Sequence, residues 1–364
     1  MPRPWLTRAL LTGGLVALAV VPPALAQPPA GTEKATVTFR TPDGKVTTEV
    51  ADVKESAGRL ELTFGKGKAV VNAPDLLKVE PILLAGANAG DVATARALED
   101  GKDAGKAAAS YADQAKKSAG APDRTKRYFA YKDAMMSTKL ADAKTGADFD
   151  AEAKKAIEKW AAVPPLSRKS YEIWPAAKTT ARLQAELNDY AKAAATLGSL
   201  AATPDLPKEL RYEALLLQAA MSLRGKQNAA VDAAVDQLEK DKEFPATGGP
   251  RDRLNVLKVA AKVSLPASPP ATPPSGEDAA KLQAAIDAAK DPVAKGVGYS
   301  ALGELHLANG QPRDAMWAYL WVDVVYNQEH DDQVLAVARL AQLFEVMGDK
   351  DRAEQFRDKL TRIR

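Results

Sequence analysis

Residues 299–321 read YSALGELHLANGQPRDAMWAYLW. Two helical stretches meet here at Asn309-Gly310, where glycine can take a left-handed backbone without strain. Leu302-Gly303 lies on the first stretch, and Ala315 and Tyr319 lie one turn apart on the second. A small residue lets two helices approach closely, and a large one a turn away fills the space beside the contact. The stretch is therefore read as a helix–turn–helix unit with a built-in close approach.

The same texture extends in both directions. From about residue 88 the chain is rich in Ala, Lys, Glu and Leu with a helical period, and Ala has the strongest intrinsic helix propensity. Helices are expected near 91–119, 123–142, 148–162, 172–186, 189–202, 208–224, 228–242, 250–263, 277–290, 293–309, 312–327, 331–347 and 350–362. Pro or Gly stands at most junctions, where either ends a helix. Residues 264–276 (SLPASPPATPPSG) are too proline-rich to be helical and read as an extended loop.

Weaker copies of the unit recur. Leu340-Ala341 with Gly348-Asp349 and Ala353 forms one, and Gly225 with Ala230 another. Ala193 with Leu197, closed by Pro204, is a third. Gly146, Asp148 and Ala151, closed by Pro164, make a fourth. The marker alanines 151, 193, 230, 315 and 353 are spaced by 42, 37, 85 and 38. The long gap is about twice the others, so a further unit is expected within it, carried by 250–263 and 277–290 and marked by Ala280 and Ala284.

This pattern resembles the tetratricopeptide repeat, a helix-turn-helix unit of about 34 residues. Leu302-Gly303, Gly310, Ala315 and Tyr319 match its positions. Val322 is larger than the usual Ala, and Asn327 stands where the family often has Pro. The resemblance spans about 130–364 and is closest over 296–329. It implies a mainly α fold, a right-handed solenoid of antiparallel helix pairs with a concave groove. A generic α-solenoid or an irregular helical bundle is the alternative.

The first residues have another character. Arg3 and Arg8 precede an uncharged, mainly apolar run from Ala9 to Val21, then Pro22-Pro23 and Ala24-Leu25-Ala26. That is the layout of a signal peptide cleaved after Ala26, and the run is shorter than the roughly 20 residues of a membrane span. Residues 27–34 read as a polar tether. Across 35–81, Val37 and Phe39, then Val46, Thr48 and Val50, then Leu60, Leu62 and Phe64, then Ala69-Val70-Val71 alternate between turn signals, the pattern of short β-strands. Their spacing resembles Sm-like small barrels, so a small all-β, barrel-like module is expected ahead of linking helices at 88–142.

Composition narrows the function classes. The chain of 364 residues carries a formal net charge of +3, which falls to +1 once the two leader arginines are gone. So balanced a chain suggests neither nucleic acid nor an acidic membrane as partner. With no Cys, disulfides and thiolate chemistry are excluded. Only His306 and His330 are histidines. His306 is expected to pack, and His330-Asp331-Asp332 to open a helix with the acids capping it. Gly86 to Asp91 is read as a hinge with Asp91 as cap. No hydrolase, zinc or phosphate-loop motif stands out, and neither an enzyme nor a cofactor is expected.

Two surfaces could bind. Carried over from the family, the groove would present Lys178, Arg182, Tyr212, Leu215, Ala219, Ser300, Glu304, Leu307, Gln342 and Glu345, with Lys178 and Arg182 able to hold an anion or simply stand solvated. Trp317 and Trp321 fall on a stripe that normally carries charge. They are expected to be buried under a neighbouring helix or the β module, or else to form a contact surface. The chain is thus expected to be an exported, non-catalytic protein-binding scaffold of the periplasm or envelope, with an unidentified protein partner. The alternative is a carrier for peptides or cell-wall glycan fragments.

Overall fold

The computed structural model describes residues 33–65, 67–263 and 276–364. The expected leader, most of the tether and nearly all of the Pro-rich loop lie outside them. The described chain is mainly helical, with a small antiparallel sheet at its start.

Five strands, β1 (Glu33–Arg40), β2 (Val46–Ser56), β3 (Arg59–Phe64), β4 (Gly67–Asn72) and β5 (Leu76–Pro81), form a sheet ordered β4-β3-β2-β1-β5. β1 begins inside the expected tether, because Glu33 and Lys34 already pair with Val53 and Asp52. The barrel-like expectation needs correction: β4 and β5 are the two edges of an open sheet. Closure is unnecessary because helices cover one face. Val37, Phe39, Val53, Leu60 and Leu62 share a single core with Ile173, Trp174, Leu206 and Leu210. Gly58, in the β2–β3 turn at φ +70°, makes this seam possible. A Cβ there would stand 2.7 Å from Leu210 and 2.9 Å from Leu206. Alternation sends Val46 and Val50 to the opposite, exposed face.

The helices are α1 (Ala89–Asp100), α2 (Ala104–Lys117), α3 (Asp123–Asp142), α4 (Gly146–Ala161), a short α5 (Pro164–Ser167), α6 (Ile173–Glu186), α7 (Tyr190–Ala201), α8 (Lys208–Arg224), α9 (Asn228–Lys240), α10 (Gly249–Val263), α11 (Gly276–Ala288), α12 (Pro292–Ala308), α13 (Pro312–Val324), α14 (His330–Val346) and α15 (Lys350–Ile363). The helix expected over 91–119 is broken at Gly101-Lys102-Asp103, with Lys102 left-handed and Asp103 capping α2. The cap of α1 is Asn88, which accepts from the amides of Gly90 and Asp91, so Asp91 is capped rather than capping.

One turn geometry recurs between α1 and α2, α6 and α7, α8 and α9, α12 and α13, and α14 and α15. Its central residue is left-handed each time: Lys102, Asn188, Lys226, Gly310 and Gly348. The next amide then reaches back to the first helix. Asp103 donates to Leu98, Asp189 to Gln184, Gln227 to Ser222, Gln311 to His306 and Asp349 to Phe344, at 2.8–3.1 Å. Four residues after that amide stand Ala107, Ala193, Val231, Ala315 and Ala353, each at most 1% exposed. The turn therefore fixes which residue enters the contact. This corrects the alanine markers. Val231, not Ala230, takes the place; Ala151, Ala280 and Ala284 are exposed, while Ala153, Leu282 and Ile286 are buried. At the best-marked unit, a Cβ on Gly303 would stand 2.7 Å from the Tyr319 ring.

Helices adjacent in sequence pack against one another, and α6, α8, α12 and α14 also meet across the interior. Leu335 of α14 packs with Ala181 and Ala185 of α6 and Met221 of α8. The chain fills its own inner face.

Candidate functional site

That filling decides the fate of the expected groove. Lys178 points into the α6–α14 seam, and Arg182 toward the end of α3. Lys178 Nζ lies 3.0 Å from Glu329 and 3.7 Å from Asp331. Burial alone would lower its pKa, but these two carboxylates outweigh that and hold it above its ordinary value. Arg182 is 6% exposed and bridges Asp142 at 3.0 Å and Glu186 at 2.6 Å. Neither side chain stands solvated, and neither is left to hold an outside anion. Tyr212 is buried edge-on against Phe244, centroids 5.2 Å apart. Leu215, Ala219 and Ser300 are buried too. Glu304 accepts from Tyr319 Oη at 2.7 Å and Arg339 Nε at 3.0 Å, joining α12, α13 and α14. Burial and Glu304 together push the Tyr319 phenol well above its ordinary pKa, so it remains the donor. Leu307 is half-buried, and only Gln342 and Glu345 of the expected groove are exposed. Between α8 and α12 a cavity of about 40 Å³ is left.

The acids at the start of α14 work differently from the expected caps. Asp332 is buried and pairs with Arg224 at 3.0 Å, and the N-cap position is held by Glu329 without a side-chain cap. His330 is exposed, while His306 is half-buried with Nδ1 2.9 Å from Gln311 Oε1.

The outer face of α12 and α13 is where large apolar groups meet solvent. Trp317 is 60% exposed and Trp321 44%, so the expected burial does not occur. No described element covers them, because α13 turns its Ala315, Ala318, Tyr319, Val322 and Asp323 side inward. Two aromatics that the repeat pattern had not singled out complete the patch. Tyr299 of α12 and Tyr326 lie nearly parallel to Trp321. Tyr299 is 5.7 Å from Trp321 and 5.4 Å from Tyr326 between centroids, at 18° and 12°. Tyr326 is brought back because its amide and that of Val325 both bond Trp321 O, at 2.9 and 3.1 Å, so that α13 ends in a wide, five-residue turn. Gly296 gives the returning backbone room: a Cβ there would stand 2.9 Å from Tyr326 O. Lys295 Nζ sits 5.8 Å from the Tyr326 ring centroid. Val324 and Val325, also exposed, extend the apolar area. The sequence signal for Tyr326 was present as an aromatic just after the α13 stripe, but only the wide turn at the helix end tells where it lands.

A second concavity lies between α4, α5, α6 and α7. It measures about 730 Å³ and is walled by Trp160, Ile173, Leu200, Pro164 and Pro204, with Arg168 and Lys169 among its polar lining. The hydroxyls along it are engaged internally: Thr180 and Ser199 donate to backbone carbonyls, and Thr196 to Gln184.

Among the described residues no helix is long and apolar enough to cross a membrane. No protein-family model matches this sequence, and no curated protein matches it either.

Proposed function

We propose that this protein is an exported, non-catalytic scaffold of the tetratricopeptide type that binds another protein in the envelope or periplasm. Its contact surface is the outer face of α12–α13. The observation that carries this reading is the exposure of Trp317 and Trp321 beside the parallel Tyr299–Tyr326 pair. Rigid aromatics are the side chains that most often dominate protein interfaces, since they present large area at small cost in rotamer entropy. Five turns of one geometry support the repeat character. The leader-like sequence at 1–26 supports export.

The test is capture from an envelope extract with the full chain, beside a Trp317→Ala/Trp321→Ala variant whose circular dichroism matches the parent. A protein enriched by the parent and lost with the variant supports the reading. Identical capture by both removes the patch from consideration. The α4–α7 concavity favours one other reading, a carrier for peptides or glycan fragments, because its volume lies within the range of small-ligand pockets, about 300–1,000 Å³. Direct calorimetric titration with short peptides and cell-wall glycan oligomers separates the two.

A further inference from the structure

A different cleft, of about 400 Å³, opens where β5, the α1–α2 turn and α3 meet. It draws lysines from three separate elements: Lys78 from β5, Lys102 from the turn, and Lys132 and Lys139 from α3. Two carboxylates also line it, and both are engaged. Asp100 pairs with Lys78 at 3.3 Å, and Glu99 with Lys132 at 3.0 Å while also accepting from Tyr111 Oη at 2.8 Å. Among the described residues Lys102 and Lys139 have no carboxylate partner, and both are exposed at the cleft. The lining therefore carries two positive charges that its own acids leave uncompensated.

The wall of the cleft adds a second, independent feature. Tyr171 is only 7% exposed and lines the cleft beside Tyr131, whose ring lies edge-on 6.5 Å away. Among the described residues neither phenol hydroxyl meets a hydrogen-bond partner, so each is open to one from outside. Burial, and then the nearby Glu172 carboxylate, hold both phenols above their ordinary pKa. They stay protonated and can donate. Lys102 itself occupies the left-handed turn position that glycine fills in the α12–α13 and α14–α15 turns.

We propose that this cleft binds a small sugar acid. Lys102 and Lys139 meet its anionic group, and Tyr131 and Tyr171 offer donors to its hydroxyl or acid oxygens. Charge that is solvated at the rim and hydroxyls that are poised in the wall suit a ligand with one anionic end and a polyhydroxylated body. An apolar body would leave the phenols unpaired. The site is separate from the α13 surface and does not depend on it.

Isothermal titration of the full chain with glucuronate and with glucose 6-phosphate tests the proposal, with glucose as the neutral control. Saturable binding of at least one acid is expected, with glucose at least tenfold weaker. The arm that binds more tightly says whether the anion is carboxylate or phosphate. Lys102→Ala/Lys139→Ala removes two exposed side chains and should weaken binding at least tenfold. Tyr171→Phe keeps the buried ring and should weaken it severalfold. Trp317→Ala/Trp321→Ala should leave it unchanged. Absence of saturable binding by either acid, or binding that the double lysine variant leaves intact, overturns the proposal.

Discussion

Arg364 and Glu186 are 178 residues apart in sequence and bonded at 2.7 Å, Nε to Oε2. The same guanidinium lies 3.7 Å from the Phe149 ring centroid and donates to Lys144 O. Glu186, its side chain 1% exposed, is held from the other side by Arg182. The pair ties the end of α15 to the α4–α6 layer.

Arg364→Ala should therefore destabilise the protein by about 1.5–3 kcal/mol, the range for a hydrogen bond to a buried charge. Arg182 remains to shield Glu186, so the full penalty of an unpaired buried charge is not reached. Urea unfolding at constant m-value measures it. A change below about 0.5 kcal/mol would show the contact to be incidental.

Gly303→Ala places a methyl group 2.7 Å from the Tyr319 ring. Overpacking of this kind costs about 1–3 kcal/mol. Tyr319→Leu in the same chain should recover part of that loss, since a smaller side chain vacates the space. Denaturation midpoints of the two single variants and the double variant test the coupling.

Lys226 sits left-handed at φ 56° in the α8–α9 turn. An L-residue there pays about 1–2 kcal/mol that glycine does not. Lys226→Gly should raise stability by about 0.5–1 kcal/mol, less than the full strain because glycine also gains entropy in the unfolded chain. A lowered melting temperature would contradict the turn geometry.

Burial, and then the neighbouring Glu172 carboxylate, push the Glu55 carboxyl up to about 7, against the pull of Arg127. The folded state therefore keeps this proton to higher pH than the unfolded chain, whose ordinary value is 4.5. Its contribution to stability is fully present below about pH 4.5 and is lost as pH rises through about 7. The stability of the parent relative to Glu55→Gln should therefore fall steadily from pH 5 to about pH 7 and then level off. Parallel curves would contradict it.

Trp317 and Trp321 should be the quenchable fluorophores of the described chain, Trp317 the more accessible, because Trp160 and Trp174 are 2% and 4% exposed against 60% and 44%. Trp317→Phe should cut the iodide-accessible emission while changing stability by no more than about 0.5 kcal/mol, as for most surface substitutions. Trp321→Ala should cost more, about 0.5–1.5 kcal/mol, through its lost contacts with Tyr299 and Tyr326.

Local chemistry was legible in the sequence wherever one residue settles one geometry. Gly310 and Gly348 mark turns because only their backbones are unstrained there, and the Gly303–Tyr319 contact is written as a small and a large residue at fixed spacing. Alternation likewise located the strands. The break at Lys102 was hidden, since a lysine in a left-handed turn looks like a lysine on a helix. The inner face was misread for a different reason. Lys178 and Arg182 have the spacing of a solvated stripe, and although Glu186 one turn on is a local partner for Arg182, nothing local says that Glu329, Asp331 and Asp142 lie opposite. Charge complementarity between distant segments has no period. Conversely, Trp317 and Trp321 carry no local sign of whether a neighbour covers them.

The α6–α14 seam has a bearing on how the chain can be made. An array whose units touch only their sequence neighbours can mature unit by unit as it is synthesised. Here Lys178 waits for Glu329, 151 residues further on, and Ala181, Ala185 and Met221 wait for Leu335. Until α14 exists, the earlier helices hold an apolar strip and buried-type cations open to water. The long loop that must close delays those contacts, so an unfinished chain is the form that most needs protection from aggregation, and the finished one should unfold as a single cooperative unit rather than fraying from either end.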